Sequence, residues 1–70
     1  MYRVNRLFCK ARCGAGLESR VVKKFFFGTR LNTFKDDTAI TRCLMDNIEW
    51  VKVYKDGTFY WIDITDLRIV

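Results

Sequence analysis

A β-hairpin signal near the C-terminus is the strongest local constraint in this sequence. The segment EWVKVYKDGTFYWIDI, residues 49–64, places Asp56-Gly57 between two runs rich in aromatic and β-branched residues. In the first run Trp50, Lys52 and Tyr54 alternate with valines, as expected for a strand with one buried face. Mirror-type turns need positive φ angles, which Gly tolerates and Asp often accepts. We therefore predict an antiparallel hairpin that turns at Asp56-Gly57.

Three consecutive phenylalanines, Phe25, Phe26 and Phe27, stand directly before Gly28. The segments SRVVKKFFF and TRLNTF on either side of this glycine read as two further strands. Successive side chains of a strand point to opposite faces, so the three rings cannot all enter one core. We expect at least one ring to face outward unless both faces of the strand are covered.

Two other segments are ambiguous. In residues 4–11 the apolar side chains fall at helical spacing, which taken alone favours a short amphipathic helix. The segment Lys35–Asn47 could begin with an aspartate cap and form a helical turn or two, or it could extend a hairpin. The residues themselves leave both alternatives open.

The predicted fold class is all-β, with residues 1–70 forming a single domain. A flat sheet made from so short a chain would leave two unpaired edges and one uncovered face. We therefore predict a small, strongly bent barrel of about five short strands, with an extended loop or short helix around residues 35–47.

Charge is distributed unevenly along the chain, whose net charge is +5. Residues 1–35 carry nine Lys or Arg against one acidic residue, whereas residues 36–70 carry four against seven. The basic N-terminal half suits nucleic acid, an anionic wall polymer or an acidic protein. A solvated basic face without a ligand is the alternative.

The composition disfavours catalysis and metal binding. No histidine is present, so an ordinary Ser-His or Cys-His nucleophile is excluded and a common zinc ligand is lacking. We expect the three cysteines, Cys9, Cys13 and Cys43, to be free thiols, and we expect no cofactor, no metal and no enzymatic activity. The charged N-terminus does not match a secretory signal and no apolar run could span a membrane, so we predict a cytoplasmic location without membrane insertion.

An ordered set of motifs resembles the bacterial SH3-like domain family. In CKARCGAGLESRVV, residues 9–22, Arg12 and Gly14 match the family's arginine and glycine, and a hydrophobic pair follows. Phe25, two turn positions and Gly28-Thr29 match the next strand and turn. The later matches are Trp50, the Asp56-Gly57 hairpin, Trp61-Ile62 and Leu67.

Several departures from the family pattern are informative. Ala15 replaces the family's proline, Tyr60 replaces a glycine, and the segment between Phe34 and Trp50 is longer than usual. The resemblance implies an SH3-like barrel, and it favours a strand over a helix for residues 4–11. It also places Phe25 in the core and puts Phe26 and Phe27 in a turn that is normally polar and exposed. The alternative for this pair is that Lys35–Asn47 folds over and covers it.

The resemblance favours a non-catalytic, stand-alone binding module that acts on a protein partner. Small lone domains of this type are typical of phages and mobile elements, so an inhibitor or modulator of a host factor is the preferred interpretation. The candidate partner-binding residues are Phe26, Phe27, Tyr54, Tyr60, Lys23, Lys24 and Arg30.

Two other functions and one other assembly remain open. Peptidoglycan recognition follows from the family resemblance, because many such domains resemble targeting modules of wall hydrolases. Nucleic-acid binding follows from the basic half, where cations interleave with aromatic residues. Arg12 in this set has a structural alternative, which is pairing with a turn carbonyl or carboxylate. A homodimer formed by the phenylalanine pair or by a sheet edge is a further possibility.

Overall fold

The computed structural model describes residues 1–33 and 41–70. These residues form eight strands, and the short 3₁₀ turn Ile64–Asp66 precedes the last of them. The strands are β1 (Tyr2–Val4), β2 (Phe8–Arg12), β3 (Val21–Phe26), β4 (Arg30–Thr33), β5 (Arg42–Met45), β6 (Ile48–Lys55), β7 (Thr58–Asp63) and β8 (Leu67–Ile69). The all-β prediction is confirmed, although the strands outnumber the five expected. In the described part of the chain, no helix is long and apolar enough to cross a membrane.

All strand pairings are antiparallel, and the sheet order is β3-β2-β7-β6-β4-β1-β8, with β5 also paired to β6. The long strand β6 therefore holds β7 on one side, and β4 and β5 on the other. The order ends at β3 and β8, which do not pair with each other among the described strands. The sheet is thus not closed into a barrel, and the predicted closure is wrong.

The C-terminal hairpin forms as predicted. Strands β6 and β7 pair continuously from Trp50 opposite Asp63 to Lys55 opposite Thr58. Asp56 and Gly57 form the turn with φ angles of 53° and 79°, the positive values that a mirror-type turn requires. The residues of the hairpin itself were therefore sufficient to predict it.

The segment around residues 35–47 contains a strand where an extended loop or short helix was predicted. Strand β5 pairs with β6 from Arg42 opposite Val51 to Met45 opposite Ile48. Asp46 and Asn47 turn between them with φ angles of 57° and 58°, which Asp and Asn adopt more readily than most residues. The hairpin alternative is therefore correct for residues 42–47, whereas residues 34–40 lie outside the described part of the chain.

The strand interpretation of residues 4–11 is also correct, because this region contains the end of β1 and most of β2. Cys9 and Ala11 point inward and are 1% and 0% exposed, while Phe8 and Lys10 point outward. The helical spacing of the apolar residues was therefore misleading.

One hydrophobic core lies on one face of the sheet. Its members come from six strands in alternating positions and from the first residue of β8: Tyr2, Val4, Cys9, Ala11, Phe25, Leu31, Val51, Val53, Tyr60, Ile62 and Leu67. Alternation along β6 places Val51 and Val53 in this core and directs Trp50 to the opposite, outer face. The outer face therefore has a second buried centre around Trp50, which is only 2% exposed.

Candidate functional site

The end of the β2–β3 pair carries four large apolar side chains that are exposed to solvent. Phe8 lies directly opposite Phe26 on the outer face, and the backbone N–H of Phe27 donates to the carbonyl of Leu7 at 3.1 Å. Leu7 is 81% exposed, Phe8 40%, and Phe26 and Phe27 62% each. We refer to these four residues as the exposed apolar cluster.

The three phenylalanines diverge because the strand alternates and then ends. Phe25 points inward and packs edge-to-face on Tyr60 with 5.1 Å between ring centroids. Phe26 points outward as the last residue of β3. Phe27 follows in a turn that closes with the N–H of Thr29 donating to the carbonyl of Phe26, so its ring lies beyond the end of the core. The placement of Phe25 in the core and the exposure of its two neighbours are confirmed.

The alternative in which Lys35–Asn47 covers Phe26 and Phe27 is not supported by its described residues. Strand β5 and its turn pair with β6, away from the β3 edge in the strand order. Both rings keep more than half of their surface accessible. Burying these rings would be favourable by about 25 cal/mol for each Å² of apolar surface that is removed from water.

Cations lie on and around the exposed apolar cluster. The Nζ of Lys24 lies 5.2 Å from the centroid of the Phe8 ring, and the Cζ of Arg3 lies 6.0 Å from that of Phe27. Lys10 is directly opposite Lys24 on the outer face, although like charges in this arrangement destabilise a sheet. The cluster therefore has a positively charged margin.

The other predicted partner-binding residues are dispersed. Lys23 lies with its Nζ 5.5 Å from the Phe25 ring centroid, and Arg30 is exposed on β4. Tyr54 is 36% exposed on β6 and packs edge-to-face on Phe59. Tyr60 is only 7% exposed in the core, so its predicted role in partner contact conflicts with its position. The alternation of β7 places it beside Phe25.

Sequence reasoning missed Leu7, Phe8, Lys10 and Arg3 as neighbours of the phenylalanine pair. Leu7 and Phe8 stand about twenty residues before it in the sequence, and only the pairing of β2 with β3 brings them together. The hydrophobic-polar alternation from Phe8 to Arg12 was the available signal. The helical spacing of the same residues obscured it.

Arg12 organises the loop between β2 and β3. Its Nη1 donates to the carbonyls of Leu17 at 3.1 Å and Ser19 at 2.8 Å. Its Cζ lies 5.7 Å from the centroid of the Trp50 ring, and Trp50 Nε1 donates to the carbonyl of Met45. The structural role of Arg12, pairing with turn carbonyls, is therefore confirmed.

A shallow depression of about 190 Å³ lies beside Phe8 on the outer face. Its lining combines Lys10, Arg12, Leu17 and Trp50 with the carboxylates Asp63 and Asp66. The volume is below the roughly 300–1,000 Å³ of typical small-molecule sites. It is of a size to receive a single side chain of a partner.

Burial and neighbouring charge suppress the ionisation of Cys9 and Asp66, two of the residues that line this depression. Burial, and secondarily the charge of Asp66, raises the pKa of the Cys9 thiol to about 11. Burial and the nearby Asp63 also raise the pKa of Asp66, and the Arg6 guanidinium, at 3.5 Å, partly opposes this increase. Cys9 is therefore a neutral, inert thiol at physiological pH.

The three free cysteines should differ sharply in reactivity. At pH 8 a Cys13→Ser/Cys43→Ser variant, which retains only Cys9, should react with Ellman's reagent about 100-fold more slowly than a variant that retains only the exposed Cys13. Folding raises the pKa of the Cys9 thiol from 9.0 to about 11, so its contribution to the free energy of unfolding is fully present below pH 9.0. That contribution is lost as the pH rises from 9 to about 11. Equal reaction rates in the folded state would contradict this assignment, and denaturant should abolish the difference.

The described residues contain no group of three or more His, Cys, Asp or Glu side chains that could hold a metal ion. Comparison with protein-family models, with curated proteins and with solved structures finds no match to this chain.

Proposed function

We propose that this protein is a non-catalytic binding module that docks the exposed apolar cluster onto a protein partner. The observation that carries the proposal is the contiguous exposure of Leu7, Phe8, Phe26 and Phe27. Contiguous exposed apolar surface on a small domain marks an interaction site. Aromatic side chains of this kind supply a large share of the binding energy at protein interfaces.

The shape of the cluster favours a concave partner surface. Phe8 and Phe26 lie on the outer face, whereas Phe27 follows the strand end and contacts Arg3 of β1. A partner with an apolar cleft could surround the β2–β3 end from both sides, while the adjacent depression of about 190 Å³ receives one of its side chains.

The charged margin favours an acidic partner. Lys10, Lys24 and Arg3 take part in none of the ion pairs within the described residues, which are Arg6–Asp66 and Arg42–Glu49. Complementary carboxylates on the partner would offset the repulsion between Lys10 and Lys24, which face each other across β2 and β3, and would accelerate association. Rim charges of this kind change the association rate more than the dissociation rate.

The finer interpretation is an SH3-like module of phage type that inhibits or modulates a host protein in the cytoplasm. It is supported by the all-β antiparallel sheet and by the residue pattern that resembles the bacterial SH3-like family. Peptidoglycan binding stays an alternative prediction, which co-sedimentation with purified sacculi tests directly.

The test is affinity capture with the immobilised protein from nuclease-treated bacterial lysate, at low and moderate salt. The double variant Phe26→Ala/Phe27→Ala is compared with Val21→Ala/Val22→Ala, which removes exposed apolar groups from the same strand outside the cluster. We expect one protein to be retained by wild type and by the valine control, and lost from the phenylalanine variant. For the isolated partner, the dissociation constant should rise at least about 30-fold for each phenylalanine removed.

Equal capture by both double variants would overturn the assignment of the site. Concentration-dependent sedimentation of the isolated protein would replace the proposed partner with a second copy of this chain. The edge strand β3 offers a route to such a dimer, because it lies at one end of the sheet.

A further inference from the structure

Three arginines stand in register on three adjacent strands. Arg3 of β1 lies directly opposite Arg30 of β4 and directly opposite Arg68 of β8. Both neighbours of Arg3 in sequence, Tyr2 and Val4, are buried in the core. The three arginines therefore emerge together on the opposite, outer face, and we refer to them as the arginine row.

The row has a defined length. Residues directly opposite each other on antiparallel strands have Cα atoms about 4.5–5.5 Å apart. Three consecutive positions therefore span about 10 Å across β4, β1 and β8. The hydrogen bonds of the sheet hold the backbone of these three strands in place, and the long arginine side chains extend from it.

Within residues 1–33 and 41–70, nothing neutralises the charges of the row. In the described parts of the chain, no carboxylate forms an ion pair with Arg3, Arg30 or Arg68. Like charges placed directly opposite one another on a sheet are destabilising, and here three occur together. An external anion would convert this repulsion into attraction.

Arg3 is the least hydrated member of the row. Its guanidinium lies against the Phe27 ring, and its Nε is buried without a hydrogen-bond partner. A partly desolvated cation interacts more strongly with an incoming anion than a fully hydrated one does. The centre of the row is therefore preorganised for an anionic ligand.

We propose that the arginine row binds consecutive backbone phosphates of a nucleic acid. Guanidinium groups match phosphate oxygens in a bidentate fork, which favours phosphate as the ligand. A linear array about 10 Å long suits a linear polyanion better than one compact ion. Contacts of this type position a strand without reading its sequence. This function is additional to protein binding and does not depend on it.

The test is fluorescence anisotropy with a labelled 12-nucleotide oligothymidylate at several salt concentrations. Arg30→Gln/Arg68→Gln removes two exposed members of the row, and Arg20→Gln/Arg42→Gln removes two exposed arginines elsewhere. Both variants lower the net charge equally, by two from +5. We expect the row variant to bind at least about tenfold more weakly, and its salt slope to fall by about 1.4, since each single-strand phosphate contributes about 0.7. The control should keep the wild-type slope.

Equal weakening by the two variants would overturn the proposal, because net charge would then explain binding. Equal competition by polyglutamate would also overturn it, because the row would then not distinguish phosphate from carboxylate. Binding of inorganic phosphate without binding of the oligonucleotide would exclude a nucleic-acid backbone as the ligand. Circular dichroism must show that each variant is folded, and Phe8→Ala/Phe26→Ala should retain oligonucleotide binding.

Discussion

Replacing Trp50 with alanine is expected to lower the free energy of unfolding by about 3–5 kcal/mol. Trp50 is 2% exposed, donates a hydrogen bond to the Met45 carbonyl at 3.0 Å and stacks against Arg12. Its loss creates a cavity on the outer face and leaves the Arg12 guanidinium without its aromatic neighbour. A chain of this length has a total stability of only about 4–10 kcal/mol, so the substitution should remove a large fraction of it.

Trp61→Ala provides the matched control. Trp61 lies on the next strand, opposite Lys52, and it is only half-buried. Urea denaturation followed by circular dichroism should show a markedly smaller loss for Trp61 than for Trp50. Equal losses would mean that the outer-face centre around Trp50 contributes no more than an ordinary surface contact.

Replacing Ile62 with alanine is expected to lower the free energy of unfolding by about 2–5 kcal/mol. Ile62 is fully buried on β7 and lies opposite Val51 on β6, and both residues belong to the hydrophobic core. Its removal deletes apolar contacts and leaves a cavity that a hydrogen-bonded sheet cannot fully close. The urea midpoint should fall with little change in the m-value.

The control is Ile69→Ala, which makes the same chemical change on β8 at a position that is 73% exposed. Its effect should be within about 0.5 kcal/mol of zero, because little apolar surface is buried there. A large loss at Ile69 with a small loss at Ile62 would contradict the assignment of Ile62 to the core.

Patterns within short stretches of sequence predicted the elements that depend only on those stretches. The β6–β7 hairpin depends on alternation and on an Asp-Gly turn, both of which are contained in residues 48–63. Alternation along the strand also required at least one of the three phenylalanines to face outward. These features required no knowledge of distant residues.

Long-range pairing decided what the sequence left open. Strands β1 and β8 have three residues each, too few for a periodic pattern, and they exist because they pair with each other and β1 also pairs with β4. Strand β5 forms a local hairpin with β6 that turns at Asp46-Asn47, but its place beside β4 depends on the length of β6. The number of strands and the open form of the sheet therefore could not be predicted from short stretches of sequence.

The candidate binding surfaces were also predicted only in part, because their members lie far apart in the sequence. The sequence indicated Phe26, Phe27 and Lys24, but it could not place Leu7 and Phe8 beside them or Arg68 beside Arg3. It also placed Tyr60 among the partner-binding residues, although the register of β7 directs that ring into the core against Phe25.

The sequence by itself determined an all-β chain, a C-terminal hairpin, and the outward direction of at least one of the three consecutive phenylalanines. Only the tertiary structure decided which strands are neighbours, and therefore which charges and rings share a surface. The physical reason is that alternation assigns each side chain to a face from a few adjacent residues. Neighbours across a sheet depend on backbone hydrogen bonds between segments far apart in the chain.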